Sequence, residues 1–345
     1  MTWPLIFDGH NDALLKLWSK GDGAVNRFQA GGESYVDLPR ARTGNFAGGF
    51  FAIFVPNEDP LWWEEMQTPP YDIPMPGPLD RNAARRVVEA QIGILRDLDA
   101  ADCLGICCSA GDIDRQIAAG RLAALMHLEG AEAIGTDLDY LERLYKLGLR
   151  SIGPVWSRPS IFGEGVPFRH PATGDIGAGL TAPGRDLVRR ASELGMIVDT
   201  SHLNVRGFFD VAAMGIPLVA THSNACGISP HARNLTDAQL RAIGETGGMV
   251  GLNFATAFLR PDGCMVPDGA LDWMVRHLDY MIDLAGENHV GLGSDFDGAM
   301  VPEEIGSVAG LDVLRERMTT AGYGHDLIAR ICHGNWLAAI RRIIG

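Results

Sequence analysis

Side chains of metal-binding type stand where short apolar runs end: His10 and Asp12, Glu129, His202, His222 and Asp295. Imidazoles and carboxylates are the donors that suit zinc and similar borderline cations. Residues two apart on a strand share a face, so His10 and Asp12 can aim at one point. An H-x-D pair alone says little: chance gives roughly one in this composition, and His277-Leu-Asp279 is a second. That second pair falls in a helical stretch, where positions i and i+2 diverge, and reads as structural. The recurrence of donors at the ends of five separate runs carries the information.

Three carboxylates converging in a partly dry cleft would repel by about 4 kcal/mol per close pair at an effective dielectric near 20. A divalent metal compensates such charge; the cations nearest in sequence are Arg158 and Arg233. Three carboxylates and three histidines exceed the needs of one tetrahedral zinc, so two metals sharing a carboxylate form the economical arrangement. Two such ions can hold a hydroxide, lowering a water pKa from 15.7 to about 7, and polarise a carbonyl.

These donors need a scaffold that brings strand ends together. Eight short apolar runs, at 5–8, 48–55, 123–128, 151–156, 196–200, 217–221, 248–253 and 290–293, are bounded by glycine, proline or polar turns. Near-continuous apolar runs suit strands buried on both faces of a parallel sheet. Amphipathic helices lie between them. Asp80 precedes 81–98, where Ala84, Val87, Val88, Ile92 and Leu95 form a stripe; Thr136-Asp137 precedes 138–147; Thr236 caps 237–245. Eight alternating units predict an α/β fold, a single (β/α)8 TIM-type barrel over 1–345, with its site at the C-terminal strand ends. Two segments break the rhythm. The stretch 56–78, with seven prolines and the adjacent Trp62 and Trp63, reads as a surface excursion, and 158–183 reads as a long loop with functional potential.

Composition narrows the class. The net charge of −14 disfavours nucleic acid and anionic membrane as partners. No apolar run approaches the ~20 residues needed to span a bilayer, and residues 1–7 lack the pattern of a signal peptide. A cytoplasmic enzyme is the expectation. Cys103, Cys107, Cys108, Cys226, Cys264 and Cys332 show no C-x-x-C pairing and read as reduced, packing residues. No G-x-S-x-G or P-loop motif occurs, and the glycines at 247–248, 291 and 293 read as tight strand packing. His127 reads as a barrel-core residue and His289 as structural; His231, His325 and His333 read as solvated, and His170 falls in the long loop.

The ordered set Asp8-Gly-His-Asn-Asp12, Leu128-Glu-Gly130, Asp199-Thr-Ser-His202, Thr221-His-Ser223, His231-Ala-Arg-Asn234 and Gly293-Ser-Asp-Phe-Asp-Gly298 resembles the membrane (renal) dipeptidase family of zinc metallopeptidases. The resemblance spans nearly the whole chain. It implies two zinc ions: His10, Asp12 and Glu129 hold one, and Glu129 bridges to the other, completed by His202 and His222. It also implies that Arg233 binds the substrate's terminal carboxylate, that Asp295 handles protons, that dipeptides with a C-terminal D-residue are accepted, and that the protein is a homodimer.

One departure stands out. Within Gly148-Leu-Arg-Ser-Ile-Gly-Pro-Val-Trp-Ser157, the family usually places an oxyanion-stabilising histidine where this chain has Trp156. An indole N–H donates a hydrogen bond but carries no charge. Either Trp156 or His170 takes over, or the substrate differs from a standard dipeptide. Beside the dipeptidase reading stand a metal-dependent amidase acting on N-acyl amino acids and a metal-binding scaffold without catalysis.

Overall fold

The computed structural model describes residues 3–57 and 63–345; Trp62 lies outside them. Each of the eight apolar runs overlaps a strand. They are β1 (Ile6–Asn11), β2 (Phe46–Phe54), β5 (Leu122–Glu129), β6 (Ser151–Gly153), β8 (Ile197–Val198), β9 (Val219–Ala220), β10 (Met249–Leu252) and β11 (Val290–Leu292). The unanticipated strands are β3 (Tyr71–Ile73), β4 (Leu104–Cys107) and β7 (Phe168–His170). One parallel sheet runs β1-β2-β5-β6-β8, with β4 also paired to β5, and a second runs β9-β10-β11. Isolated parallel bridges, Asp199 to Val219 and Asn11 to Phe296, lie at the two seams between them. Every residue of β2 and β5 is buried, as expected for strands covered on both faces. The ladders define a parallel half-barrel sheet with helices, of TIM-like character.

The helices follow their start signals. Asp80 accepts from the Ala83 amide at 2.8 Å and opens Arg81–Ala100, which buries Ala84, Val88, Ile92 and Leu95. Thr236 and Gln239 form a capping box at the head of Asp237–Glu245. Helix Asp139–Lys146 instead begins after Leu138, at φ 58°, which offers no side-chain cap, while Asp137 Oδ1 accepts from the Asp139 amide at 3.4 Å. No helix among the described residues is long and apolar enough to cross a membrane.

The two irregular segments are not independent. β3, in the first, pairs antiparallel with β7, in the second, setting Tyr71 opposite His170 and Ile73 opposite Phe168. Met66 and Phe168 are both buried against the strand-end site. The expected surface excursion is therefore, in its described part, a wall of the site: its apolar side chains have a groove to fill that local sequence does not reveal.

Within β1 and β11, Trp336 fills the space left by two glycines. A Cβ at Gly9 or Gly291 would stand 2.5 or 2.6 Å from the indole, whose N–H donates to the Leu292 carbonyl at 2.8 Å. Because Gly9 precedes His10, this contact braces the strand that carries the site. Trp336→Ala is expected to lower stability by about 3–5 kcal/mol in urea titration; a loss under about 1 kcal/mol would contradict that bracing.

Candidate metal centre

Strand ends supply the donors. His10 lies in β1 and Asp12 just beyond it, Glu129 is the last residue of β5, His202 and His222 follow β8 and β9, and Asp295 follows β11. All six converge. Glu129 Oε1 lies 2.9 Å from His202 Nε2 and 3.3 Å from His222 Nε2, and these two nitrogens are 3.1 Å apart. The other oxygen, Glu129 Oε2, faces His10 Nε2 at 3.8 Å, and His10 Nε2 is 3.3 Å from Asp12 Oδ2. Donors about 2.0–2.2 Å from a tetrahedral zinc stand about 3.4 Å from one another, close to these separations. Three compact donor triads lie among the described residues, Glu129/His202/His222, His10/Asp12/Asp295 and His10/Asp199/His222, and the first two share no residue, so each could hold an ion.

The chemistry of the donors fits the group. His10 Nε2, on the side of Asp12 and Glu129, and Asp12 Oδ1 are buried without a hydrogen-bond partner, a costly state unless a ligand takes them up. Burial alone would lower the His10 pKa, but the charges of Glu129, Asp12 and Asp295 overcome it and raise it to about 10. Burial, reinforced by Arg233 and His10, holds His202 and His222 well below the usual imidazole range, so they are neutral as ligands must be. Burial pushes Glu129 well above the ordinary carboxylate range, a tendency that Asp12 and Asp295 reinforce.

Behind the donors, a hydrogen-bond relay sets the tautomer of His222. The Thr221 hydroxyl donates to Asp199 Oδ2 at 2.6 Å, so its oxygen accepts from His222 Nδ1 at 2.8 Å. The Nε2 lone pair is thereby left facing Glu129 and His202. Asp199 Oδ1 accepts from the Ser201 hydroxyl at 2.6 Å and the Thr221 amide at 3.0 Å. Burial opposes ionisation of Asp199, but the donors of Ser201 and Thr221 counter it and hold the carboxyl low. His127 is the buried core residue expected: it meets Ser151 Oγ at 2.9 Å, and burial drops its pKa to about 3. Ser157 Oγ supports His202 Nδ1 at 2.9 Å. Asp199 and Thr221 stand in the motifs quoted above, but their partnership is not legible from spacing.

Asp295 sits at φ 60°, a strained conformation for a non-glycine residue, with the Asn253 amide donating to its Oδ2 at 2.9 Å. Burial raises its pKa. A Cβ at Gly298 would fall 2.2 Å from Asp12 Oδ2 and 2.6 Å from Asp295 Oδ1, so only glycine lets the loop close on both carboxylates. Arg233 is buried at the same cavity, donating to the carbonyls of Ser201 and His222, the latter at 3.0 Å, while its Nε has no partner. Burial lowers its pKa to about 10, against the pull of Asp295 and Glu129. Arg158 is occupied elsewhere, by the Val55 carbonyl at 2.9 Å and Glu132 at 3.6 Å.

Trp156 is buried on the cavity wall, its ring 5.7 Å from that of His202. His170 is not part of the cavity lining; its Nε2 meets the Pro261 carbonyl at 3.1 Å, so it does not stand in for the missing histidine. His231, expected in solvent, is fully buried, and its Nδ1 accepts from the Arg233 amide at 3.0 Å. The fold drives a turn residue inward because it braces the arginine beside it. His325 is exposed, whereas His333 is half-buried against the Leu5 carbonyl. His277 and His289 bond to backbone groups, and all six cysteines are free. Asp199→Asn is expected to weaken metal affinity about 10- to 100-fold, measured by chelator competition; unchanged affinity in the folded variant would remove Asp199 from the relay.

Comparison with known proteins agrees with this geometry. The profile of the membrane dipeptidase family, peptidase family M19, matches residues 1–344. A protein of Klebsiella pneumoniae described as an uncharacterized protein in the pqqA 5′ region is 45% identical over 256 residues, 73% of this chain and 94% of its own length. An uncharacterized dipeptidase of Schizosaccharomyces pombe is 30% identical over 318 residues, 85% of this chain and 69% of its own. A metallopeptidase of Rhodobacter sphaeroides, crystallised with a phosphinate mimic of the dipeptide L-Ala-D-Ala, is 45% identical with a TM-score of 0.96, over 99% of this chain and 100% of that one. A crystallised dipeptidase of family M19 is 46% identical with a TM-score of 0.97, over the whole of both chains. The chain belongs to the membrane dipeptidase family and is a metallopeptidase.

Proposed function

We propose that the chain is a dizinc dipeptidase, a (β/α)8 barrel that cleaves dipeptides including those with a C-terminal D-residue. The observation that carries this reading is the division of labour at Glu129, whose two oxygens face His202/His222 and His10/Asp12 respectively. One zinc would be held by His10, Asp12 and Glu129, the other by Glu129, His202 and His222. When bound, the ions supply Lewis acidity that lowers the pKa of water to about 7 and polarises the scissile carbonyl. Its closeness to the relative bound to a dipeptide mimic supports the substrate class.

The remaining steps belong to the chain's own groups. Arg233, buried and with Nε unpartnered, offers a charge-assisted donor to the dipeptide's terminal carboxylate. Asp295, oriented by Asn253 and raised in pKa, accepts a proton and returns it to the leaving amine. Trp156 shields the cavity from water and presents its ring beside His202. A homodimer, as the resemblance implies, and a reducing cytoplasmic setting, which six free cysteines suit, complete the proposal.

Purified protein is expected to carry about two zinc equivalents per chain by elemental analysis and to lose L-Ala-D-Ala hydrolysis on chelation. A metal content near zero in folded protein, or turnover of N-acyl amino acids alone, would reject the reading. Glu129→Gln should release metal, and Arg233→Ala should cut kcat/KM about 10- to 100-fold, mainly through KM. An unchanged KM would take the carboxylate away from Arg233.

A further inference from the structure

The cavity above the donors, about 300 Å³, has two unlike sides. Its floor carries the carboxylates, the imidazoles and Arg233. Its wall is a chain of aromatic rings: Phe54 to Trp156 at 5.0 Å, Trp156 edge-on to Phe168 at 5.6 Å, and Phe168 parallel to Phe258 at 6.1 Å. The chain ends at Arg233, whose guanidinium lies 5.8 Å from the centre of the Phe258 ring. A carboxylate anchored by Arg233, as proposed above, would have Phe258 and Phe168 beside it to meet the adjoining side chain, that of the C-terminal residue.

The wall is held firmly by segments distant in sequence. Phe168 belongs to β7, pinned to β3, while Phe258 lies on the short helix Thr256–Leu259. The Met265 amide donates to the Met66 carbonyl at 2.9 Å, and the Tyr71 hydroxyl to the Gly263 carbonyl at 2.8 Å. Phe168 and Phe258 are each only 5% exposed.

Among the described lining residues, no charge is left to greet a charged substrate side chain at this wall. Asp297 spends its oxygens on the Ser34 hydroxyl and the Tyr35 and Val36 amides. Arg158 lies behind Trp156, engaged as described, and Arg169 and Arg260 are paired with Asp72 and Asp262. The uncharged Asn57 and Thr256 cannot neutralise an ion. A carboxylate or ammonium placed here would be desolvated without a partner, whereas an apolar group would lose only water contact.

Building on the dipeptidase reading, we propose that this wall selects dipeptides whose C-terminal residue bears an uncharged, apolar side chain, with Phe168 and Phe258 as the specificity-determining residues. L-Ala-D-Leu and L-Ala-D-Phe should exceed L-Ala-D-Glu and L-Ala-D-Lys at least 100-fold in kcat/KM. Phosphinate mimics with D-Leu and D-Glu side chains should show the same order of affinity by calorimetry, independent of turnover. Phe168→Arg should raise the D-Glu to D-Leu ratio at least tenfold without helping D-Lys; should it not fold, Phe168→Ala should cut the D-Phe to D-Ala ratio at least fivefold. Charged and apolar substrates or mimics within threefold of each other, or a ratio unmoved in a folded variant, would overturn the proposal. Preserved mimic preference with no dipeptide cleaved would uphold the wall and sink the dipeptidase reading instead.

Discussion

The concentration of charge in a water-poor mouth is the constraint on which this structure turns. Asp12, Glu129, Asp199 and Asp295 are gathered with His10, His127, His202 and His222 where solvent screens little. Each needs an answer to the cost of burial. Asp199 finds it in four hydroxyl and amide donors, His127 in neutrality and a serine, and Arg233 in backbone carbonyls. What stays unanswered within the chain, Nε2 of His10 and one oxygen of Asp12, marks a place suited to a cation.

That electrostatic demand shapes the scaffold around it. Parallel strands bring their C-terminal ends to one side, so donors distant in sequence meet without long excursions. Gly298 leaves room for two carboxylates, and Asp295 tolerates a left-handed backbone to face them. Beneath the donors, Trp336 occupies the space next to Gly9 and Gly291, stiffening the strand that carries His10. Above, β3 and β7 pair, and Phe168 of β7 joins Phe54, Trp156 and Phe258 in an aromatic wall over the donors. A polar floor and an apolar wall together make one site selective in two senses, toward the bond to be cleaved and toward the side chain beside it.

Much of this was legible in the chain. The eight runs became strands at the expected places, because a parallel strand buried on both faces reads as a continuous apolar stretch whatever surrounds it. His10, Asp12, Glu129, His202, His222 and Asp295 all meet at the mouth, and His127 is the core residue anticipated. The departures share a cause. The strand β4, the pairing of β3 with β7, and the dry setting of His231 each depend on a partner that approaches from elsewhere: β5, a remote loop, and the backbone amide of Arg233. Proline-rich composition suggested an excursion at 56–78, but composition cannot disclose the groove that Met66 fills.

Donor type and strand period are properties of a few neighbouring residues, so the metal chemistry, the alternation of strand with helix, and the family pattern were settled by residue order alone. The tautomer of His222, the two-sided role of Glu129, the bracing of Arg233 and the aromatic wall were decided only when the sheets came together. They rest on distances between groups as far apart in the chain as Asp8 and Ser294, whose hydrogen bond spans 286 positions. A hydrogen bond or ring contact exists only when such groups come within a few ångströms, and closure of the fold alone determines which do.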